Sequence, residues 1–506
     1  MNYNSMLKEM KTEKNYEGAK AYAMTPELEL YSAVVTASLS DTFYEKQDER
    51  VERIAQLISK VSPEFVARLA VYTRTQMHLR SIPLLLLVEL AKVHNGDNLV
   101  ARAVEKTVLR ADEIMELLMC YQWRNPSDGI KKLGKLSRQI QNGLQRAFNR
   151  FDEYQFAKYN RDNLEVKLRD ALFLVHPKAK DEQQQVLFDK IVNDKLETPY
   201  TWETELSALG QQKFESDELK QEAFRKKWEE LIDSRKLGYM ALMRNLRNML
   251  QANVSIRQMQ KVGYWICDDE SVAESKQLPF RYLSAYREVE KIDSVHTTRL
   301  LNALEAAVKY SASNIEGFDE NTRVLLASDV SGSMGKLISP RSTVRNFDIG
   351  LLLSMLLRNR CKQVVAGIFG DDWKVVNMPN DNILMATRQL ERLANTVGFS
   401  TNGYKVVDWL LEQNLIMDKV MMFTDMQMWD NTGRYKTFED SWKRYKQLAP
   451  NAKLYLFDLD GYGQLPLRLA EPDVFLIAGW SDRVFDVLSA IDKGEDALSV
   501  INKVEI

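Results

Sequence analysis

Arg323-Val324-Leu325-Leu326-Ala327-Ser328, running straight into Asp329-Val330-Ser331-Gly332-Ser333, decides how this chain is read. An apolar run of this length suits a buried strand, and the acid, hydroxyls and glycine behind it make a polar loop at the strand's carboxyl end. The pattern recurs downstream. Further apolar runs lie at 364–369, 419–423, 454–457 and 474–477. Helical patterning is read over 346–358, 383–394, 403–412, 438–448 and 483–491. Continuous apolar strands alternating with amphipathic helices predict a doubly wound α/β domain, its parallel sheet covered on both faces.

In such sheets, ligands bind beyond the carboxyl ends of the strands. The first strand brings Asp329, Ser331 and Ser333 there, and Gly332 lets the loop turn tightly between the two serines. A hard divalent cation such as Mg²⁺ takes about six oxygens. Two later loops can complete the shell: Thr401, in Phe399-Ser400-Thr401-Asn402-Gly403, and Asp425, in Phe423-Thr424-Asp425, the latter acting through water. No His, Lys or Cys neighbours these residues in sequence to act as a base or nucleophile, so the expectation is a binding site and not an enzyme. The alternative at this point is a polar switch-point loop without metal.

Upstream of about residue 309 the sequence reads as helix after helix. Thr25-Pro26-Glu27 and Ser62-Pro63-Glu64 are helix starts, each a hydroxyl N-cap, a proline at the first position and an acid in the first turn. Residues 82–91 are apolar nearly all round, which predicts a helix buried within a stack. Helix pairs without strands suggest an irregular α-solenoid. The expected domains are therefore 1–315, helical, and 316–506, the α/β domain.

The chain has 506 residues, 45% hydrophobic and 28% charged, with a net charge of −2. Length implies two or three domains, and the overall charge does not advertise a nucleic-acid partner. Cys120, Cys267 and Cys361 are far apart, which fits neither a disulfide framework nor a zinc site. No signal-peptide core or membrane-length apolar run is present, so a cytoplasmic protein is expected. Local charge differs from the total. Between Lys131 and Lys180 stand twelve bases against five acids, a local excess of seven positive charges. Tyr154, Phe156 and Tyr159 are interleaved with them, which reads either as phosphate binding with base stacking or as core aromatics beneath a solvated face.

The motifs carry two resemblances. Asp-x-Ser-x-Ser followed by Thr401 and the strand-end Asp425 resembles the metal-ion-dependent adhesion site of von Willebrand factor A domains, which implies a divalent cation held by Asp329, Ser331, Ser333, Thr401 and Asp425. Five helical segments resemble the TROVE module of the Ro autoantigen family, in which that module precedes an A domain. They are Leu69-Ala70-Val71-Tyr72-Thr73-Arg74 leading to Leu79-Arg80-Ser81-Ile82-Pro83; Ala157-Lys158-Tyr159; Leu168-Arg169-Asp170-Ala171-Leu172 leading to Val175-His176-Pro177-Lys178; Met240-Ala241-Leu242-Met243-Arg244-Asn245-Leu246-Arg247-Asn248; and Leu278-Pro279-Phe280-Arg281-Tyr282-Leu283-Ser284-Ala285-Tyr286.

The resemblance to a bacterial-type Ro protein implies a monomeric ring of HEAT-like helices followed by the A domain. It implies small noncoding Y-like RNA on the outer surface, single-stranded 3′ ends of misfolded RNA in the central hole, and work with a 3′-to-5′ exoribonuclease. Carried over as RNA-binding residues are Lys158, Tyr159, Arg161, Lys167, Arg169, His176 and Lys178, with Arg244 and Arg247. The sequence departs from the family between them, where Asn160-Arg161-Asp162-Asn163-Leu164 is less basic. Arg244 and Asn248 read equally as ties between neighbouring helices. The other functional class open to the chain is a protein-interaction scaffold using the metal site.

Overall fold

The described residues form nine strands, two near the N-terminus and seven from Arg323 onward: β1 Thr12–Lys14, β2 Lys20–Ala23, β3 Arg323–Asp329, β4 Gln363–Phe369, β5 Trp373–Val375, β6 Lys419–Thr424, β7 Lys453–Asp458, β8 Gln464–Leu465 and β9 Val474–Ala478. The computed structural model describes residues 11–37, 48–126, 135–160, 164–312, 318–338, 342–377, 382–434, 436–469, 473–481 and 483–506. Six strands make one sheet in the order β5-β4-β3-β6-β7-β9. All its pairs are parallel except β4 with β5, an antiparallel edge of three residues that the apolar pattern did not mark. β3 is buried from Val324 onward, as a strand covered on both faces must be. The strand order reverses beside β3, and register sets Ser328 opposite Phe423 and Asp329 opposite Phe369, so the loops after β3 and β6 emerge side by side. Helices Asn346–Arg360, Ile383–Leu393, Tyr404–Glu412, Phe438–Leu448 and Val484–Asp492 fall where helical patterning placed them.

A second sheet, β1-β2-β8, corrects the reading of the N-terminal region as wholly helical. Thr12-Glu13-Lys14 is too short and polar to show alternation. It is a strand because Tyr22 of β2 finds Leu465 in register 443 positions later. Helix Pro26–Val35 follows, its first turn capped by the Thr25 hydroxyl, and it lies against β9. Tyr31 donates its hydroxyl to the Ala478 carbonyl at 3.1 Å, and the Ser32 hydroxyl donates to the buried Asp458 carboxylate.

The chain divides into two compact units, one of residues 1–38 and 213–497, the other of 39–212 and 498–506. The linear division at 315/316 falls outside the described residues, and the compact units part elsewhere. The reason lies in packing: helices Pro279–Glu290 and Thr297–Ser311 lie against Asn346–Arg360 and Ile383–Leu393. Arg287, buried, forms ion pairs with Asp348 at 2.6 Å and Glu391 at 2.9 Å. Glu305 accepts from the N–H groups of Leu384 and Met385 at 3.1 and 2.7 Å, capping a helix of the sheet domain.

The second unit is mostly helical. Its helices include Pro63–Thr75, Ser81–Val93, Leu99–Thr107, Asp112–Arg124, Arg138–Phe148, Glu153–Tyr159 and Leu168–Val175. Pro63–Thr75 and Ser81–Val93 each pack on both the next helix and the one after it. Ser62 caps its helix through the Phe65 N–H at 3.2 Å. Ser81–Val93 buries every residue from Ile82 to Leu90, as its all-round apolarity predicts. Among the described residues no helix is long and apolar enough to cross a membrane.

Candidate functional site

The loop after β3 is held from two directions. Asp329 accepts the Ser331 N–H on Oδ1 at 2.9 Å and the Thr424 hydroxyl on Oδ2 at 2.7 Å. The Ser331 and Ser333 hydroxyls stand 3.3 Å apart. Gly332 donates its N–H to the Phe399 carbonyl at 2.8 Å, which brings in the loop carrying Thr401. Thr401 is buried, and its carbonyl accepts the Trp429 N–H at 3.1 Å, joining that loop to the one after β6. Asp425 accepts the Gln427 N–H on Oδ1 at 3.0 Å, while its Oδ2 is buried with no hydrogen-bond partner. Three loops distant in sequence thus converge at one end of the sheet.

Asp329 and Asp425 are both fully buried. Burial holds the Asp329 carboxyl above the usual carboxylate range; burial and then the charge of Asp329 push Asp425 up. The influences that oppose this are hydroxyl and backbone N–H groups. Two desolvated acids with an orphaned oxygen, ringed by hydroxyls, are the donor set that a hard cation relieves. Among the described residues there is no group of three or more His, Cys, Asp and Glu that could hold a metal ion. The five residues are two carboxylates and three hydroxyls, the donor types a hard divalent ion takes.

The basic stretch resolves into two groups in the helical unit. In the first, the Lys158 ammonium lies 5.7 Å from the centroids of both Tyr154 and Tyr159, and the Arg110 guanidinium lies 4.7 Å over Tyr159. Tyr154 is 47% exposed, whereas Phe156 is fully buried against Phe148 and Phe151, so the stacking reading fails for Phe156. In the second, Lys167, Arg169, His176 and Lys178 are exposed around helix Leu168–Val175. Arg169 lies 5.8 Å over Phe173, itself 49% exposed. His176 ends the helix in the left-handed conformation at φ 51°. The nearby acids are engaged: Glu153 pairs with Lys190 at 2.6 Å, Asp152 caps its helix, and Asp170 accepts the Lys167 N–H. Arg161 lies outside the described residues, as do Lys131 and Lys132.

Arg244 and Arg247 belong to the other unit, exposed on helices Tyr239–Arg244 and Leu246–Gln251. Arg247 pairs with Glu288 at 2.9 Å. Asn248 donates to the buried Asn245 at 2.8 Å, so the tie between helices runs through the asparagines, and Arg244 is left facing out.

The family model described as TROVE domain matches residues 10–194 and 193–316, well over half of the chain. The chain belongs to the TROVE-domain family. That family, which includes the Ro proteins, is known for RNA binding. Curated relatives of this TROVE chain include mouse telomerase protein component 1, 38% identical over 100 residues, and the rat protein of the same name, 23% identical over 321 residues. These matches take in 20% and 48% of this chain but only 3% and 12% of those much longer proteins. Among solved structures, the Ro (RSR) protein of Deinococcus radiodurans matches with a TM-score of 0.59 at 18% identity, over 93% of this chain and all of that one. At that identity the likeness is one of fold.

Sequence reasoning on the TROVE chain missed several contributors. Gln141 and Gln145 on Arg138–Phe148 and Asn149 at its C-cap, spaced four apart, donate side-chain amides to the carbonyls of Val175, His176 and Lys178. They hold the basic segment in place. Four-residue spacing of polar amides on a strongly amphipathic helix was the available signal. Arg110 and Phe173 carried none, since only the folded chain puts them beside Tyr159 and Arg169.

Proposed function

We propose that this chain is an RNA-binding protein of the Ro type, acting in small-RNA stability and RNA quality control. Membership of the TROVE family carries this reading, and the two exposed basic groups, Lys158 over its tyrosines and Arg169, His176 and Lys178 around Phe173, support it. Cationic side chains over aromatic faces suit phosphate contact beside unpaired bases. In the finer form of the proposal, small structured Y-like RNA is held on the outer surface of a HEAT-like helical ring. Single-stranded 3′ ends of misfolded RNA enter the ring's central hole, and a 3′-to-5′ exoribonuclease works alongside. The role is binding without catalysis, in a monomeric cytoplasmic protein. Crosslinking in cells followed by sequencing of the bound RNA is the test: one dominant small structured RNA is expected, and no enriched RNA would refute the proposal.

A second reading concerns the α/β domain, which we propose is a von Willebrand A-like domain holding a divalent cation, Mg²⁺ by preference for hard oxygen donors. Asp329, Ser331, Ser333, Thr401 and Asp425 would hold it, and it would supply an open position for a partner's carboxylate. The buried acid pair and the orphaned Asp425 Oδ2 favour this reading. Partner capture that survives EDTA would count against it.

A further inference from the structure

The loop that carries Asp425 is not self-supporting. Met426, immediately after the acid, is buried at φ 67°, in the left-handed region where a residue other than glycine is strained. Such a conformation persists only when its surroundings over-determine it. What holds the next two residues comes from more than four hundred positions away. The Asn15 side-chain amide donates to the Met428 carbonyl at 2.8 Å, and the Tyr16 N–H donates to Gln427 Oε1 at 2.9 Å. Gln427 in turn donates its own N–H to Asp425 Oδ1. Asn15 and Gln427 are both buried. The turn that presents them is locked as well, since Asn15 Oδ1 accepts the Ala19 N–H at 2.9 Å and the hairpin continues into β1, β2 and β8.

We propose that the N-terminal hairpin is a positioning element of the candidate metal site: Asn15 and Tyr16 clamp the loop after β6 through Gln427 and Met428, so that Asp425 is held with Oδ1 engaged and Oδ2 left for the cation. The proposal rests on the reading of the five oxygen donors as a divalent-cation site. Partners that orient a metal ligand from behind characteristically change metal affinity by about 10–100-fold when removed.

The test is Mn²⁺ titration of the full chain, followed by electron paramagnetic resonance, with thermal unfolding in EDTA measured in parallel. Asn15→Asp keeps the oxygen that accepts from Ala19 and removes the amide that donates to Met428. Gln427→Ala removes the acceptor for Tyr16. Each is expected to weaken Mn²⁺ binding by about tenfold in protein that still unfolds in one cooperative step in EDTA, at a temperature lowered by the lost buried hydrogen bond. Should Asn15→Asp fail to fold, Gln427→Ala carries the same comparison. Wild-type affinity in the folded variants overturns the positioning role and leaves the metal reading standing. Absence of Mn²⁺ binding by the wild type, or equal binding by Asp329→Ala, overturns the metal reading itself.

Discussion

Lys158 shares its charge between two tyrosine rings, and Arg169 lies over a half-exposed phenylalanine. Each cation is held by its aromatic neighbour, so each is set out toward solvent at little further entropic cost. Replacing either by Ala is expected to weaken structured-RNA binding across sequences and to lower the salt slope of binding by about one. Filter binding across a salt series measures both; an unchanged slope in both variants would remove these residues from the interface. The cysteines make a second residue-scale case. Cys120 and Cys361 are buried, and burial pushes the Cys361 thiol up to about 11. Because the thiolate is the reactive species, alkylation at pH 8 is expected to label only the partly exposed Cys267 in the native protein and all three cysteines in denaturant. Rapid native labelling of Cys361 would contradict its packing.

Two contacts tie helices Pro279–Glu290 and Pro26–Val35 to the sheet domain of the same compact unit. Arg287 sits between Asp348 and Glu391, and cutting it to Ala leaves Asp348 buried and uncompensated. That change is expected to cost about 3–5 kcal/mol of stability, readable by urea unfolding. A loss under about 1 kcal/mol would mean that water reaches the pair. At the N-terminal helix, Gly461 at φ +64° would set an added Cβ 2.4 Å from the Thr36 hydroxyl and 2.8 Å from the Ser32 carbonyl. Gly461→Ala is therefore expected to loosen helix Pro26–Val35 and lower the melting temperature, whereas Gly494→Ala, with open space around its Cβ position, is expected to cost less through its φ alone. Equal losses would show that backbone strain and not crowding governs both. These elements also mark the limits of legibility. Strands such as β3 and β6 were readable because continuous apolar runs leave little else to be. β1, β2 and β5 were not, because strands of three or four residues owe their existence to distant partners. The Thr25 and Ser62 caps were legible because a cap is a local contract within four residues.

For the whole molecule, the site residues divide in the same way. Asp329, Ser331 and Ser333 fall on one loop and can be read together as candidates, whereas Thr401 and Asp425 join them only by their places at a helix start and a strand end. The hairpin's hold on the Asp425 loop spans more than four hundred positions and left no local trace. The basic side chains were legible as charge, but which aromatics face outward was not, since Tyr154 and Phe156 stand two residues apart on opposite sides of a short helix. A bound cation is expected to stabilise the folded state by mass action, so Mg²⁺ should raise the melting temperature of the wild type and leave Asp329→Ala unmoved. An equal rise in both would assign the effect to ions elsewhere. The proposed role places RNA on the basic surface of the helical unit of this TROVE chain. Its most direct test is the affinity of nucleic-acid-free protein for the small RNA recovered by crosslinking, measured against salt for wild type and for Lys158→Ala/Arg169→Ala. Binding that falls steeply with salt in the wild type, and is weaker with a shallower slope in the variant, is the expected result; no binding by the wild type, or identical curves for the two proteins, would contradict it.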